Sequence, residues 1–494
     1  MEYFVNCNTS TLAPYTTPLD KTKAAHLYRR LGFSASVQTI DQAVGQNAGT
    51  LIDSLINQAI ATAPLPAPAW ADWNNSNYPA DDDAANQIKG AQQDEWRMAY
   101  TNALLNNNLK DRLSFFWSNH LVTELRSYGC SSFLYYYINC LQRNAIGNFR
   151  TLVSEIGLTS AMLYYLDGVY NNGNNPNENY ARELYELFTL GEGNNYTEDD
   201  IIETAKALSG YVERTDVGCS QVTFDPTKFN TENKTILGQT GNWGYDDVIN
   251  ILFLNRSGEI AEFICRKLYE FFVHPDSKDD TGNAQTIIDG MAATFIASDF
   301  ELAPVLSQLF KSQHFFDDTT IGVIIKSPFD MYLNLTKETG FAYDDTILNR
   351  VVDSCSLLSQ ELFSPVDVAG WQRDRTWINT NFMIGRWLTS EMFIEEFWTR
   401  DQEQFRTFGI AAMGPTGATT NDPDAVASAI IDKLTPKGLL EPVNYSSAYS
   451  VFREPYESDT VYQNGSWNML LPNADSQVYL LLLHIIRQPE FQLK

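Results

Sequence analysis

The chain has 494 residues, of which 44% are hydrophobic and 13% aromatic, so it can bury a large core without disulfide or metal cross-links. It carries 34 Lys and Arg residues against 61 Asp and Glu residues, a formal net charge of −27. A negative charge of this size repels phosphate backbones and anionic headgroups. It therefore argues against nucleic-acid binding and against adsorption to an anionic membrane.

The N-terminal ten residues, MEYFVNCNTS, contain no basic region, apolar region or small-residue cleavage site of a secretory signal. Near the C-terminus the most apolar stretch, residues 478–486, is interrupted by His484 and is shorter than the ~20 residues of a membrane span. We expect a cytoplasmic protein by default, with no membrane insertion. An exported or periplasmic location stays open if a leader has been removed.

The cysteines show no metal-binding spacing. Six of them are scattered through the chain without a CxxC pair or a neighbouring pair of histidines, which argues against a zinc site. We expect isolated buried thiols. In an exported protein, Cys130 and Cys140 are the first pair to consider for a disulfide.

Helical periodicity dominates the first third of the chain. Asp20 is the predicted N-cap of a helix over residues 21–31, which Gly32 can end. A polar, Pro- and Asn-containing loop is predicted over residues 64–92. The other helices predicted in this part cover residues 49–63, 93–106, 109–124, 131–144, 149–157 and 161–166.

Further along, a turn-rich run leads into a predicted helix over residues 178–190, and Thr197 begins a capping box. Residues 212–244 favour a short hairpin or an ordered loop. Helices resume at residue 246 and continue, with breaks, to about residue 337. The C-terminal part alternates loops, at 409–424 and 442–465, with helices, the last over 479–488.

These patterns predict a mainly α fold, a large multi-helical domain with a small irregular β insert at about residues 212–244. The predicted organisation has three parts. They are an N-terminal extension over residues 1–19, a helical core over 20–390, and a loop-rich helical part over 391–494 that packs on the core as one unit.

The most informative helix carries its charges on one side. At about 100° per residue, Glu178, Asn179, Arg182, Glu183 and Glu186 project within about 140° of one another. Such carboxylates could act as general acid and base or hold a divalent ion. The alternative is a solvated helix face with a Glu178–Arg182 ion pair.

Two histidines accompany charged or aromatic neighbours. His120 follows three aromatic residues, with Glu124 one turn later, and His26 shares a helix with Arg29 and Arg30. Both could converge on the acidic helix. The alternative is a core histidine whose ring nitrogens are hydrogen-bonded, which is the usual role of a histidine beside three aromatic residues such as His120.

Several sequence blocks together resemble one family. They are HLYRRLGF at 26–33, FFWSNH at 115–120, GNF at 147–149, NPNENYAREL…LFTLG at 175–191, KTILG at 234–238, RKL at 266–268, KSP at 326–328, VAGW at 368–371, WIN at 377–379 and PEFQ at 489–492. In these blocks the chain resembles the bacterial domain-of-unknown-function 1800 (DUF1800) family. The central block is the most specific of them.

The resemblance implies a large, mainly helical protein with no settled activity. Family members often look exported and often accompany a sulfatase-like partner protein, which points to envelope or extracellular-polymer metabolism. The chain departs from the family pattern at residues 224–230, where FDPTKFN lacks the usual His-Asp pair.

Two functional hypotheses follow. The first is an acid/base or metal-assisted enzyme acting on a polymeric or sugar-like substrate. In it His120, Glu183 and Glu186 are catalytic, whereas the substrate-binding residues are His26, Arg30, Glu178, Asn179 and Arg182. A divalent cation is its candidate cofactor, with the 171–178 loop as one place for it. The alternative is a non-catalytic scaffold, assembly or binding protein in which the same residues form a structural network.

Overall fold

The computed structural model describes residues 10–213, 217–275, 277, 283–455 and 460–494. It is 61% helical, with two small two-stranded sheets among the described residues, which confirms the predicted mainly α class.

The first half of the chain forms eleven α-helices in the described residues. They are α1 Lys21–Leu31, α2 Val37–Ala43, α3 Ala48–Ala61, α4 Asp82–Asn106, α5 Leu109–Ser118, α6 Leu125–Tyr128, α7 Ser131–Asn144, α8 Phe149–Ile156, α9 Ser160–Tyr165, α10 Asn179–Glu183 and α11 Glu198–Ala207. A π-helix, Leu184–Thr189, continues α10. Asp20 caps α1 as predicted, accepting a hydrogen bond from the Lys23 N–H at 2.8 Å, and the capping box at Thr197 is confirmed.

The predicted β insert is confirmed as two antiparallel pairs. Strands β1 Tyr211–Val212 and β2 Thr223–Phe224 form one, and β3 Lys234–Ile236 and β4 Gln239–Gly241 form the other. The β3–β4 turn places Leu237 and Gly238 at φ of 48° and 82°, the left-handed values of a tight hairpin turn.

Twelve further α-helices follow among the described residues. They are α12 Tyr245–Asn255, α13 Ser257–Phe272, α14 Asn283–Ala297, α15 Leu302–Phe310, α16 Pro328–Thr339, α17 Asp345–Leu357, α18 Thr380–Arg400, α19 Glu403–Met413, α20 Pro423–Leu434, α21 Pro442–Arg453, α22 Thr460–Gln463 and α23 Ala474–Ile485. Short 3₁₀ turns lie at Asn75–Asn77, Gly168–Tyr170, Asp318–Thr320, Asp374–Trp377, Gly414–Thr416 and Pro489–Gln492.

Two predicted loops are partly helical. Residues 82–92 are the first turns of α4, because Asp81 caps the helix at the Ala84 N–H and two further aspartates lie in its positively polarised first turn. Residues 442–453 form α21, which begins with Pro442 at its first position and buries Phe452. In both cases the polar composition led to the prediction of a loop where the structure has a helix with one buried side.

The centre of the core is marked by two helices that are buried on nearly every side. Every residue of α5 is buried, and so is every residue of α16 except Lys337. An ion pair between Arg112 Nη1 and Asp330 Oδ1, 2.8 Å long, joins these two helices inside the protein. Helices with no solvated face require this kind of internal pairing for their charges.

A disulfide corrects the cysteine prediction. Cys130, at the start of α7, is bonded to Cys219 in the insert, with 5.6 Å between their Cα atoms. The expectation of thiols is therefore wrong for these two residues, and so is the pairing of Cys130 with Cys140. Cys140, Cys265 and Cys355 are buried thiols as expected, and Cys7 lies outside the described residues.

Helix α18 runs across the predicted boundary at residue 390. The three-part organisation itself stays a prediction. In the part of the chain that the structure describes, no helix has both the length and the apolar character needed to cross a membrane.

Candidate functional site

Arg182 is the centre of the acidic helix face. Its Nη2 lies 3.1 Å from Glu178 Oε2, its Nη1 lies 3.3 Å from Glu186 Oε1, and Glu198 at the start of α11 closes the group with a further ion pair. The predicted Glu178–Arg182 pair is therefore present. Because Arg182 remains one-third exposed, these ion pairs are solvent-screened and each stabilises the fold only weakly.

Glu183 lies on the same helix and forms no ion pair with any residue that the structure describes. Its pKa is raised above the usual 4.5 by burial and by the charge of Glu186, against the opposing effect of Arg182. Together with Glu124 and Asp367, Glu183 also acts on Tyr165, whose pKa rises to about 12 through burial and these three negative charges. Glu183 is thus the carboxylate of this face best suited to hold a proton.

The amide side chains near this helix are already hydrogen-bonded within the protein. Asn179 Nδ2 donates to Asp167 Oδ2 at 2.7 Å, and Asn171 Oδ1 accepts from the Asn177 N–H at 3.1 Å. Among residues 10–213, 217–275, 277, 283–455 and 460–494, no group of three or more His, Cys, Asp or Glu side chains is arranged to hold a metal ion.

His120 meets the acidic segment from its buried side. Its Nε2 lies 3.0 Å from the carbonyl oxygen of Phe188, which belongs to the π-helix. Burial, followed by the charge of Lys267, lowers the pKa of His120 well below 6.5, so the ring is neutral at neutral pH. The aromatic rings around it are those of Phe116, Trp117, Phe149, Phe188 and Phe263.

His26 and Arg30 occupy a different region. His26 Nε2 lies 2.9 Å from the Phe315 carbonyl oxygen, and Arg30 Nη2 donates to the Thr320 carbonyl at 2.7 Å. Both side chains are buried. The structure therefore gathers Glu178, Asn179, Arg182, Glu183 and Glu186 on one helix, with His120 behind it, and holds His26 and Arg30 against the 315–320 segment.

The structure also contains a cavity of about 330 Å³ that we call the Trp371 cavity. Its aromatic walls are Phe115, Phe271, Trp371 and Trp377. The polar side chains that line it are Asn119, Glu270, Ser327, Asp330, Gln360, Gln372, Arg373, Asp374 and Lys494. Aromatic walls combined with convergent polar side chains are typical of small-molecule sites.

Asn119 positions the main wall of this cavity. Its Oδ1 accepts a hydrogen bond from the Trp371 N–H at 2.5 Å, and the Trp371 ring stacks on Phe115 with centroids 5.2 Å apart. Gly370 has φ of 92°, and a Cβ there would lie 2.6 Å from the Asn119 carbonyl oxygen, so only glycine fits. The indole N–H of Trp371 donates to the Glu361 carbonyl, which fixes the ring plane.

Charged side chains line and flank the cavity. Glu270 accepts a hydrogen bond from the Ser277 hydroxyl at 2.5 Å and lies 3.5 Å from Arg373 Nη1. The neighbouring Lys267 has no ion pair in the described ranges, and burial together with repulsion from Arg373 lowers its pKa to about 8. Asp374 lines the cavity at φ of 52°, a strained backbone conformation for a residue other than glycine.

Sequence reasoning missed this cavity, although four of the blocks quoted above contribute to it: 115–120, 326–328, 368–371 and 377–379. The available signal was that these blocks together supply three aromatic residues, one amide and one hydroxyl, namely Phe115, Trp371, Trp377, Asn119 and Ser327. The sequence does not show that segments more than 200 residues apart meet around the Trp371 cavity.

One protein-family model matches nearly the whole chain. The family model described as "Protein of unknown function (DUF1800)" matches residues 26–493. The chain belongs to the DUF1800 family. No curated protein and no solved structure matches it. The DUF1800 match includes both the acidic helix and every lining residue of the Trp371 cavity except Lys494.

Proposed function

We propose that this DUF1800 protein binds a polyhydroxylated, sugar-like group in the Trp371 cavity. The supporting observation is the composition of its lining, which combines four aromatic rings with three amides, one hydroxyl and an Arg373–Glu270 pair. Aromatic rings pack against the apolar faces of sugar rings, whereas planar amide and charged groups hydrogen-bond their hydroxyls. In this proposal His26, Arg30 and His120 belong to the internal framework, because each is buried against a backbone carbonyl.

The test is a binding titration. Calorimetry with a panel of neutral and acidic mono- and oligosaccharides is expected to find a ligand for the wild-type protein. Replacing Trp377→Ala is expected to weaken its binding at least tenfold, or ~1.4 kcal/mol. The control is Trp243→Ala in the β insert, because Trp243 is not among the residues that line the cavity. The proposal fails if no sugar of the panel binds, or if both variants bind it as the wild type does.

Acid/base chemistry at the helix face is a second candidate, favoured by the raised pKa of Glu183. In this reading Glu183 holds the proton, Glu186 is the paired carboxylate and Arg182 anchors a negative group of the substrate. A divalent cation remains a candidate cofactor for it. Mass spectrometry of polysaccharides incubated with the wild type and with Glu183→Gln tests it, because a reaction that persists in the variant excludes this role.

The disulfide supports an exported or periplasmic location over a cytoplasmic one, since stable disulfides persist in oxidising compartments. Such a location suits a role in envelope or extracellular-polymer metabolism. A sulfatase-like partner, implied by the family, would then be sought by co-purification. Cell fractionation with thiol trapping distinguishes the compartments, because a reduced Cys130 in the cytoplasmic fraction contradicts the proposal.

A further inference from the structure

The inner face of α16 carries three buried polar side chains one turn apart, Asp330, Asn334 and Glu338. Basic side chains from widely separated parts of the chain surround them. We call the basic residues and the three α16 residues the cation network. Its basic members are Arg29, Arg30, Arg112, Lys326, Arg386 and Lys494, all buried.

The two carboxylates of the network are already used. Asp330 pairs with Arg112 Nη1 at 2.8 Å and with Lys494 Nζ at 2.5 Å. Glu338 pairs with Arg29 Nε at 2.6 Å. Six basic side chains therefore share two carboxylates, inside a protein whose total formal charge is −27.

In the described part of the chain, three of the basic side chains form no ion pair with a carboxylate. Arg30 donates to the Thr320 carbonyl, and Arg386 donates to the Lys326 carbonyl and to Gln492. The ammonium group of Lys326 lies over the Phe491 ring, 4.2 Å from its centroid.

Several polar atoms of the cation network have no hydrogen-bond partner among the described residues. The donors are Lys326 Nζ, Arg30 Nε and Nη1, Arg112 Nε, Arg386 Nη1 and Asn334 Nδ2, and the acceptors are Asn334 Oδ1 and Glu338 Oε2. Buried donors are normally satisfied, so a group of unpartnered donors that outnumbers the acceptors calls for a ligand rich in acceptor oxygens.

Burial and neighbouring charges change the pKa values of the cation network. The pKa of Lys326 is lowered to about 7 by burial, and the charges of Glu338, Arg29, Asp330 and Arg386 also act on it. Burial lowers the pKa of Arg30 to about 9 and that of Arg386 to about 10, so both guanidinium groups keep their charge at neutral pH. Buried charges of one sign are costly unless a counter-charge meets them.

We propose that the cation network binds an oxyanion, a phosphate, sulfate or carboxylate group, at the unpartnered donors of Lys326, Arg30 and Arg386. Asp330 and Lys494 belong to the network and also line the Trp371 cavity, whereas Lys326, Arg30 and Arg386 are not among the lining residues of the cavity. Anion binding and sugar binding are measured separately, so either proposal can fail without the other.

The experiment is thermal melting of the full chain in phosphate, sulfate or acetate, each compared with chloride at equal ionic strength. The melting temperature of the wild type is expected to rise with the concentration of the preferred anion, as mass action requires. Lys326→Met is expected to abolish this rise. The matched control is Lys228→Met, which removes an exposed charge and is expected to keep it.

Comparing phosphate, sulfate and acetate shows which class of oxyanion the site prefers. An equal rise in all three proteins would overturn the proposal, because it would be a general salt effect. If the wild type gives no rise, ion chromatography of the denatured protein decides: stoichiometric release of an anion supports a saturated site, and no release overturns it. If Lys326→Met does not fold, Asn334→Leu takes its place, since it removes network donors without changing charge.

Discussion

Glu183 differs from the other carboxylates of its helix because burial and Glu186 raise its pKa, and no cation of the described residues forms an ion pair with it. The folded state then holds the proton more tightly than the unfolded chain does. Stability is consequently lost as pH rises through the folded pKa, so at neutral pH a carboxyl group at this position makes the fold less stable than a neutral side chain would.

Replacing Glu183→Gln is therefore expected to raise the melting temperature at pH 7 by about 1 °C, with the gain disappearing near pH 4. Differential scanning calorimetry at the two pH values measures it. Glu178→Gln is the control, because it removes a partner of Arg182 and is expected to give no gain. A lower melting temperature for Glu183→Gln at pH 7 would contradict the assignment.

The buried Arg29–Glu338 pair behaves differently from surface pairs. Both side chains are at most 2% exposed, so removing the carboxylate leaves Arg29 charged in the interior. We expect Glu338→Gln to cost about 3 kcal/mol, which lowers the melting temperature by about 3 °C in a chain of this size. The exposed Arg97–Asp94 pair supplies the control, and Asp94→Asn should change melting by less than about 0.5 °C. Equal changes in melting temperature for Glu338→Gln and Asp94→Asn would contradict the expected difference between the buried and the exposed ion pair.

At the scale of elements, the best predictions were those with strong local signals. The residue range of α7 was predicted without error, as was that of α1, where Asp20 provides a cap and Gly32 an end. The π-helix was read as a continuous α-helix, since its period differs too little to be detected over six residues. The helix face of Glu178–Glu186 was predictable because helical geometry is local. The burial of His26 and His120 was not, because it depends on segments far along the chain.

The disulfide ties α7 to the insert and closes a loop with a sequence separation of 89 residues. Cross-linking a loop of this length restricts the unfolded chain, which in the chain-entropy account stabilises the fold by about 4 kcal/mol. Cys130→Ser should lower the melting temperature by about 4 °C. A reducing agent should do the same to the wild type and leave the variant unchanged. Finding equal thiol counts in the denatured wild type before and after reduction would disprove the bond.

At the scale of the whole molecule, the family and the fold class could be predicted from ordered blocks and helical periodicity. The Trp371 cavity and the cation network could not. Asn119, Trp371 and Lys494 lie far apart in sequence, and only the packing of α5 and α16 at the centre of the core brings their segments together. The same central packing buries several ionisable groups, so the stability of the whole fold depends on pH.

His26 and His120 govern that dependence in mild acid. Burial lowers the pKa of each well below 6.5, so the unfolded chain binds protons that the folded protein does not. The stability they contribute is complete above pH 6.5 and is lost as pH falls. For each histidine the loss is at most about 1.4 kcal/mol per pH unit below that value, for as long as the fold keeps the ring neutral.

Urea unfolding curves at pH 7, 6 and 5 measure this loss, and His120→Gln should reduce the slope even if the variant is less stable at pH 7. His26 and the partly buried His484, whose pKa burial also lowers, account for the remaining slope. Asp330 does not contribute to the loss of stability between pH 7 and 5. Arg112 and Lys494 lower its pKa below the usual 3.8, so the stability that it contributes is lost only at more acidic pH. Glu183 acts in the opposite direction, since its raised pKa makes protonation favourable to the folded state. A free energy of unfolding that stays constant or rises from pH 7 to 5 would mean that neither histidine is held neutral by the fold.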